Sequence, residues 1–168
     1  MELEVGSGNG HFLVERAAAV PARLVVGIDL RGNRCHKAIR KADGLGLQNV
    51  VVCRGRAEEL LAGVAPGRIS VLHIYFPDPW PKSRHRRRRF LQAPMLIEAA
   101  RVLVPGGMLA FATDFFDYFV QARVLIAASD NFSFSTGDDA GAQHSLFGQR
   151  FVSSGTAIFN TWAQRRPS

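Results

Sequence analysis

Along the chain, short apolar runs alternate with longer stretches whose apolar residues recur every three or four positions. The short runs, at residues 3–5, 24–28, 49–53, 69–76 and 108–112, read as strands, and the continuously apolar ones suit a sheet covered on both faces. Residues 12–20, 33–45, 57–64, 91–104 and 116–128 read as the intervening helices, the fourth of them stopped by Pro105-Gly106-Gly107. This alternation predicts an α/β domain on a mainly parallel sheet. The stretch 131–162 holds Phe-rich strand-like pieces around a polar segment, 136–144, that reads as a loop. Without internal repeats or an interdomain linker, residues 1–168 are expected to form a single domain. The first strand begins at residue 2 with nothing ahead of it, so an N-terminal segment is expected to be missing or very short.

Composition narrows the class. With 47% apolar and 21% charged residues, the chain fits a soluble globular protein and neither a disordered nor a collagenous one. At 168 residues it can bury about 70% of its unfolded surface, so no disulfide or metal staple is required. No apolar run approaches the roughly 18 residues of a membrane span, and Met1-Glu2-Leu3-Glu4 lacks the features of a signal peptide. Cys35 and Cys53 have no CxxC partner, and the five histidines show no metal-ligand spacing. The expectation is a cytoplasmic protein without a metal or a membrane partner.

Charge adds more. The formal net charge is +7, and Lys82, Arg84, Arg86, Arg87, Arg88 and Arg89 concentrate six positive charges within eight residues. Such a cluster suits a polyanion, although a basic run is also compatible with a solvated turn.

Glu4-Val5-Gly6-Ser7-Gly8-Asn9-Gly10 lies between a strand and a helix. Its glycines permit a sharp turn and close approach of a ligand. A dinucleotide-binding GxGxxG would need glycine where His11 stands. An acid followed by GxGxG is similar to the first motif of the S-adenosylmethionine methyltransferases, in which Glu4, Gly6 and Gly8 would approach the amino acid end of the cofactor. Asp29 follows the second strand, about 20 residues after the glycine turn, where a carboxylate can accept both ribose hydroxyls. That geometry serves NAD equally. At the end of the third strand, Arg56 is either a contact to the adenine or a solvated charge.

Phe76-Pro77-Asp78-Pro79-Trp80-Pro81 follows the fourth strand, at the sheet edge where ligands of doubly wound folds bind. Prolines at 77, 79 and 81 fix φ and predict a stiff extended loop. The whole stretch, FPDPWPKSRHRRRR, strongly resembles the loop of the bacterial tRNA (guanine-N7) methyltransferases, whose usual form is FPDPWPKKRHxKRR. This chain departs by Ser83 and by Arg87. The resemblance extends to EVGSGNG, to Gly27-Ile28-Asp29, to Ala112-Thr113-Asp114, and to a tail motif aligned with Ser145-Leu146-Phe147-Gly148, Gly155 and Ile158-Phe159.

The resemblance implies a Rossmann-like class I fold, a doubly wound, mainly parallel sheet of about seven strands with helices on both faces. It implies methyl transfer from S-adenosylmethionine to N7 of a guanosine in the tRNA variable loop, leaving S-adenosylhomocysteine. Carried over by residue, Glu4, Gly6, Gly8, Asp29, Arg56 and Asp78 would meet the cofactor. Asp78 would also be the catalytic carboxylate, and Lys82, Arg84, Arg88, Asp114 and Ser145 would meet tRNA. Arg56 stands where the family often has an acid or amide, and Gly148 where it usually has glutamate. No obligatory protein partner is implied, and either a monomer or a homodimer would serve.

Guanine N7 is a neutral nucleophile, so the reaction needs positioning more than a strong base. Asp78 could stabilise the positive charge that develops on the purine, or accept from guanine N1–H and N2–H₂. Competing readings are a methyltransferase for another acceptor such as an exocyclic amine, a non-catalytic RNA-binding module on the same fold, and, more distantly, an NAD oxidoreductase. His73, inside the fourth strand, reads as a hydrogen-bonded core residue. The phenylalanines at 111, 115, 116, 119, 132 and 134 read as core packing, Asp114 as either a site residue or a helix cap, and Arg89 as packing on the helix after it.

Overall fold

In the computed structural model, which describes residues 1–137 and 141–167, the apolar runs become strands of one sheet. These are β1 (Glu2–Val5), β2 (Val25–Asp29), β3 (Val50–Arg54), β4 (Ile69–Tyr75), β5 (Leu103–Thr113), β6 (Phe132–Ser135) and β7 (Phe159–Arg165). Six helices connect them: α1 (His11–Ala19), α2 (Gly32–Gly44), α3 (Ala57–Gly63), α4 (Ala93–Val102), α5 (Phe116–Ala127) and α6 (Leu146–Ser154). The seven strands run in the order β3-β2-β1-β4-β5-β7-β6. Pairs from β3 through β5 are parallel, while β7 runs antiparallel to both β5 and β6. The expected doubly wound α/β sheet is the one found.

Both faces are covered because the helices carry apolar stripes that can be buried nowhere else. Leu13 and Ala17 of α1 and Ala38 of α2 pack on Val25 on one face. Leu61, Leu96, Tyr118 and Ile126 pack from α3, α4 and α5 on the other. From β1, the sheet grows one way through β2 and the other way through β4. That reversal opens a crevice beyond the carboxyl ends of β1 and β4, where the glycine turn and the proline loop both emerge.

Inside the sheet, Glu2 is wholly buried and accepts from Arg16 Nε (2.7 Å) and Nη2 (2.8 Å), Arg23 Nη1 (2.7 Å) and His73 Nε2 (2.9 Å). Burial opposes its ionisation, but these donors outweigh burial and hold its carboxyl well below the usual carboxylate range. His73 is buried and pushed below its ordinary value by burial, so its imidazole is neutral. Because a carboxylate only accepts, Nε2 carries the proton and Nδ1 accepts from the Tyr75 hydroxyl at 3.0 Å. His73 is the hydrogen-bonded core residue its strand position predicts.

Three local expectations change. Helix α4 ends at Val102, and Pro105-Gly106-Gly107 belongs to β5. Gly106 has φ +76°, and the pairing jumps from Ile69–Leu103 to Val71–Met108, so the Pro-Gly-Gly stretch bulges out of the ladder. The tail holds a helix, α6, where only strand-like pieces are expected. Ser145 caps it, accepting from Gly148 N at 3.0 Å, and Gly155 closes it at φ +68°. Of the segment 136–144, residues 138–140 lie outside the described ones, and Gly141–His144 forms a 3-10 turn. Among the described residues, no helix is long and apolar enough to cross a membrane.

Glu2→Gln removes a charge that two arginines and His73 share, so it should cost about 1.5–3 kcal/mol at pH 7 by urea denaturation. A depressed folded pKa contributes stability above the unfolded value near 4.5 and loses it as pH falls. The gap between Glu2→Gln and the wild type should therefore narrow below about pH 4.5, and a gap independent of pH would refute this account.

Candidate active site

At the carboxyl end of β1 the backbone turns through Gly6, Gly8 and Gly10, with φ of +73°, +54° and +76°. Gly10 is doubly constrained: a Cβ there would lie 2.6 Å from Ala38 Cβ, so only glycine lets α1 start against α2. The turn is tied to β2 from both main chain and side chain. Gly6 N and Ser7 N donate to Ile28 O at 2.8 and 3.0 Å, while Gly8 N donates to Asp29 Oδ2 at 3.0 Å. Asp29 Oδ1 accepts from Arg31 N at 2.8 Å, and Arg34 Nη1 lies 3.8 Å from Oδ2. The carboxylate thus orients the turn while each oxygen retains a lone pair for a further donor.

Glu4, one strand position before the turn, is 3% exposed, and its Oε2 has no hydrogen-bond partner. Burial, and then the negative charge of Asp29, push its carboxyl up to about 8. It lines a cavity of about 240 Å³ with Gly6, Gly8, His11, Arg34, Tyr75 and Ser145 among its other walls. A buried acid left unpaired beside a glycine turn suits a ligand bearing a cation, which would supply the missing partner. The amino group of S-adenosylmethionine has that chemistry.

The wall across the crevice is the proline loop. Phe76, which lines the cavity, has φ +49°, and Trp80 has φ +43°. Both precede a proline, where backbone freedom is already reduced. Left-handed conformations at bulky residues cost on the order of 1–3 kcal/mol each and persist only where surroundings over-determine them. Here Arg89 is the constraint. Its side chain is fully buried; Nε donates to Pro79 O (2.7 Å), Nη1 to Gln121 Oε1 (2.5 Å) and Nη2 to Asp117 Oδ2 (2.7 Å). The guanidinium also lies 4.8 Å from the Tyr118 ring centroid. Arg89 therefore packs on α5 rather than on α4, the helix that directly follows it, because Asp117 and Gln121 sit there one turn apart.

The structure brings Glu4, Gly6, Gly8 and Ser145 into one cavity. Asp29 sits behind it, bonded to the glycine turn. Asp78 lies on the loop two residues past Phe76, exposed, with no hydrogen bond or ion pair among the described residues. Arg56 is not among the cavity's lining residues; its side chain is 61% exposed and faces Glu58 and Glu59 at 3.5 and 3.9 Å. Lys82 and Arg84 are exposed, and Arg88 stacks over the Trp80 ring at 5.0 Å. The basic run continues as a 3-10 turn, Ser83–Arg88, which displays its arginines outward. Asp114, half-exposed at the end of β5, caps nothing: Phe115 N donates instead to Thr113 Oγ1 at 3.1 Å.

Ser145 uses its hydroxyl to cap α6 and to donate to Ala142 O at 2.9 Å. At Gly148 a Cβ would collide with Ala142 O and stand 2.7 Å from Gln143 Cα, so the glutamate of the family pattern has no room while the 3-10 turn stays where it is. Arg34 and Tyr75 line the cavity without having been singled out from the sequence, whereas Phe147 and Arg150 line it from the tail stretch that the family motif aligns with. Arg34 carried a usable signal, lying in the first turn of the helix after Asp29. Arg150 and Phe147 arrive on the unanticipated α6. Among the described residues, no three His, Cys, Asp or Glu side chains form a group that could hold a metal.

Glu4 titrates near 4.5 in an unfolded chain and near 8 when folded, so its neutral form favours the folded state. That contribution is complete below about pH 4.5 and lost as pH rises through about 8. Denaturation profiles of the ligand-free protein should fall across this window relative to Glu4→Gln; parallel profiles would show that Glu4 titrates normally.

Residues 1–161 match the model of the Methyltransf_4 family, described as "Putative methyltransferase". A tRNA (guanine-N(7)-)-methyltransferase of Geobacter metallireducens is 31% identical over 166 residues, covering 95% of this chain and 79% of its own length. The protein of the same name from Halorhodospira halophila is 42% identical over 117 residues, 69% of this chain and 51% of its own. The chain spans 51% to 63% of the length of the Halorhodospira protein and several other curated relatives. Among solved structures, the 16S rRNA methyltransferase KamB matches 98% of this chain and 87% of its own with a TM-score of 0.74 at 21% identity. An rRNA methylase from Streptococcus thermophilus matches 99% of this chain and 87% of its own, with a TM-score of 0.63 at 15% identity. These two likenesses concern the fold, which they share from β1 onward. The sequence matches concern the whole arrangement of glycine turn, acid and proline loop, and by them the chain belongs to the bacterial tRNA (guanine-N7) methyltransferase family.

Proposed function

We propose that this chain methylates N7 of a guanosine in the variable loop of tRNA, using S-adenosylmethionine and releasing S-adenosylhomocysteine. The observation that carries this reading is the juxtaposition at one crevice of an unpaired buried acid, Glu4, and a strained loop bearing Asp78. The cofactor supplies an electrophilic methyl group. Glu4 would ionise against its ammonium, Gly6 and Gly8 would leave room for its backbone, and Asp29 would accept from its ribose hydroxyls. The loop that Arg89 clamps would hold Asp78 at the crevice's mouth. There its carboxylate would face the purine and offset the positive charge that appears as the new N–C bond forms. No proton needs to leave N7, so the task of these residues is alignment.

Beyond the crevice, Lys82, Arg84, Arg87 and Arg88 would meet tRNA phosphates. Their guanidinium and ammonium groups make no ion pair among the described residues, so they are available to a polyanion. Asp114 opens on the same edge. A tRNA acceptor is supported by the relatives, which are tRNA (guanine-N(7)-)-methyltransferases, and by the charge of these groups, which suits a polyanion.

Incubating unmodified tRNA with cofactor and the protein should yield 7-methylguanosine by mass spectrometry; a folded, cofactor-binding protein that leaves every guanosine unmodified overturns the reading. Asp78→Ala should lower turnover by about 100–1,000-fold with cofactor affinity retained. Arg89→Lys cannot reproduce the three-way clamp, so turnover should fall up to about 100-fold, with the affinity for cofactor little changed. A full-rate Arg89→Lys enzyme would remove the loop clamp from the mechanism.

A further inference from the structure

Phenylalanine 116 does not behave as the core residue its helical spacing predicts. Helix α5 buries Tyr118, Ala122 and Ile126, which leaves Phe116, Val120 and Val124 on its outer ridge, 60%, 42% and 61% exposed. At the head of that ridge the Phe116 ring packs on Phe159 at 5.2 Å and on Phe119 at 6.3 Å. Phe159 pairs with Thr113, so this cluster stands at the same sheet edge as Asp114. Farther along, Arg123 lies over Phe119 at 5.7 Å and over Phe134 at 4.3 Å. The result is an open face on which phenyl rings and a guanidinium alternate.

We propose that this face is a stacking platform for unpaired bases of the bound tRNA, with Phe116 as its principal contact. The inference rests on the RNA-methylating reading above and extends it to a surface outside the crevice. Exposed aromatic rings interleaved with arginine planes are what splayed bases stack upon, and they accept any base because every base has a π-face. The platform is continuous with the basic turn: Asp117, the neighbour of Phe116, is held by Arg86 at 2.6 Å and by Arg89 at 2.7 Å. Phosphates gripped by the turn would thus deliver their bases to the adjoining rings. Charge favours this occupant over a second copy of the chain. Each copy carries +7, and a self-association here would bring Arg86 and Arg123 of two molecules together.

The test uses Phe116→Ala, an exposed helix-start position whose folding is checked by thermal melting. Affinity for unmodified tRNA is measured at several salt concentrations. Stacking predicts that Phe116→Ala weakens binding by roughly 5- to 150-fold at every salt concentration, leaving the salt slope and cofactor affinity unchanged. Phe116→Trp should bind like the wild type, and its added indole should be quenched by tRNA. Arg87→Ala, by contrast, should reduce the slope by about 0.7–0.9. Unaltered tRNA affinity in Phe116→Ala overturns the platform while leaving the methylation reading intact. A loss of self-association on sedimentation, without loss of tRNA affinity, overturns it in favour of a dimer face. A wild-type protein that binds no tRNA defeats both readings.

Discussion

A single buried guanidinium organises the proline-loop side of the crevice. Burying an arginine costs several kcal/mol unless its charge is paired and hydrogen-bonded, and each nitrogen of Arg89 has a partner: a carbonyl, an amide oxygen and a carboxylate, with the Tyr118 ring beside them. One of those partners is the proline loop itself, at Pro79. Satisfying Arg89 and fixing the loop are therefore the same event. The left-handed Phe76 and Trp80 are tolerated because the loop between them cannot relax without stranding a buried charge.

The glycine-turn side of the crevice is organised by the opposite device. Where Arg89 is paired, Glu4 Oε2 is left without a partner, in a cavity whose other walls include the glycine turn, Phe12, Tyr75, Arg34 and Arg150. Its neighbour Asp29 raises the cost of a second negative charge while its Oδ2 accepts from Gly8 N and its Oδ1 from Arg31 N. A site built this way suits a cation, which would supply the partner that Glu4 Oε2 lacks. The two halves meet because the strand order reverses between β1 and β4, which sets the glycine turn beside the proline loop.

Away from the crevice, α5 links recognition to structure. Its inner residues close the core, its first turn neutralises Arg86 and Arg89, and its outer edge carries the exposed rings. The same helix that anchors the loop thereby sets the distance between that loop and the surface beside it. Helix α6 plays a comparable part on the other wall, bringing Phe147 and Arg150 to the cavity.

Much of this was legible without coordinates. Strand runs at 24–28 and 49–53 differ from β2 and β3 by one residue at each end; β2 is an apolar run buried at every position, whereas β3 at the sheet's edge is legible from its run of β-branched residues. The glycine turn, Asp29 and the proline loop were readable because unusual backbone and a short list of chemistries demand those residue types at that spacing. The tail was not: Gly148 weakens the helical signal of α6, whose cap and stop lie in an otherwise ambiguous Phe-rich stretch. Nor could spacing say which side of α5 faces water, since apolar residues occupy both ridges and only the sheet decides which one is covered. The chain's own order of residues determined the elements and the chemistry available. The tertiary structure decided which buried ionisable group is paired and which is not, because that depends on side chains far apart in the chain, such as Arg89 and Asp117, 28 residues apart, that only the fold brings into contact.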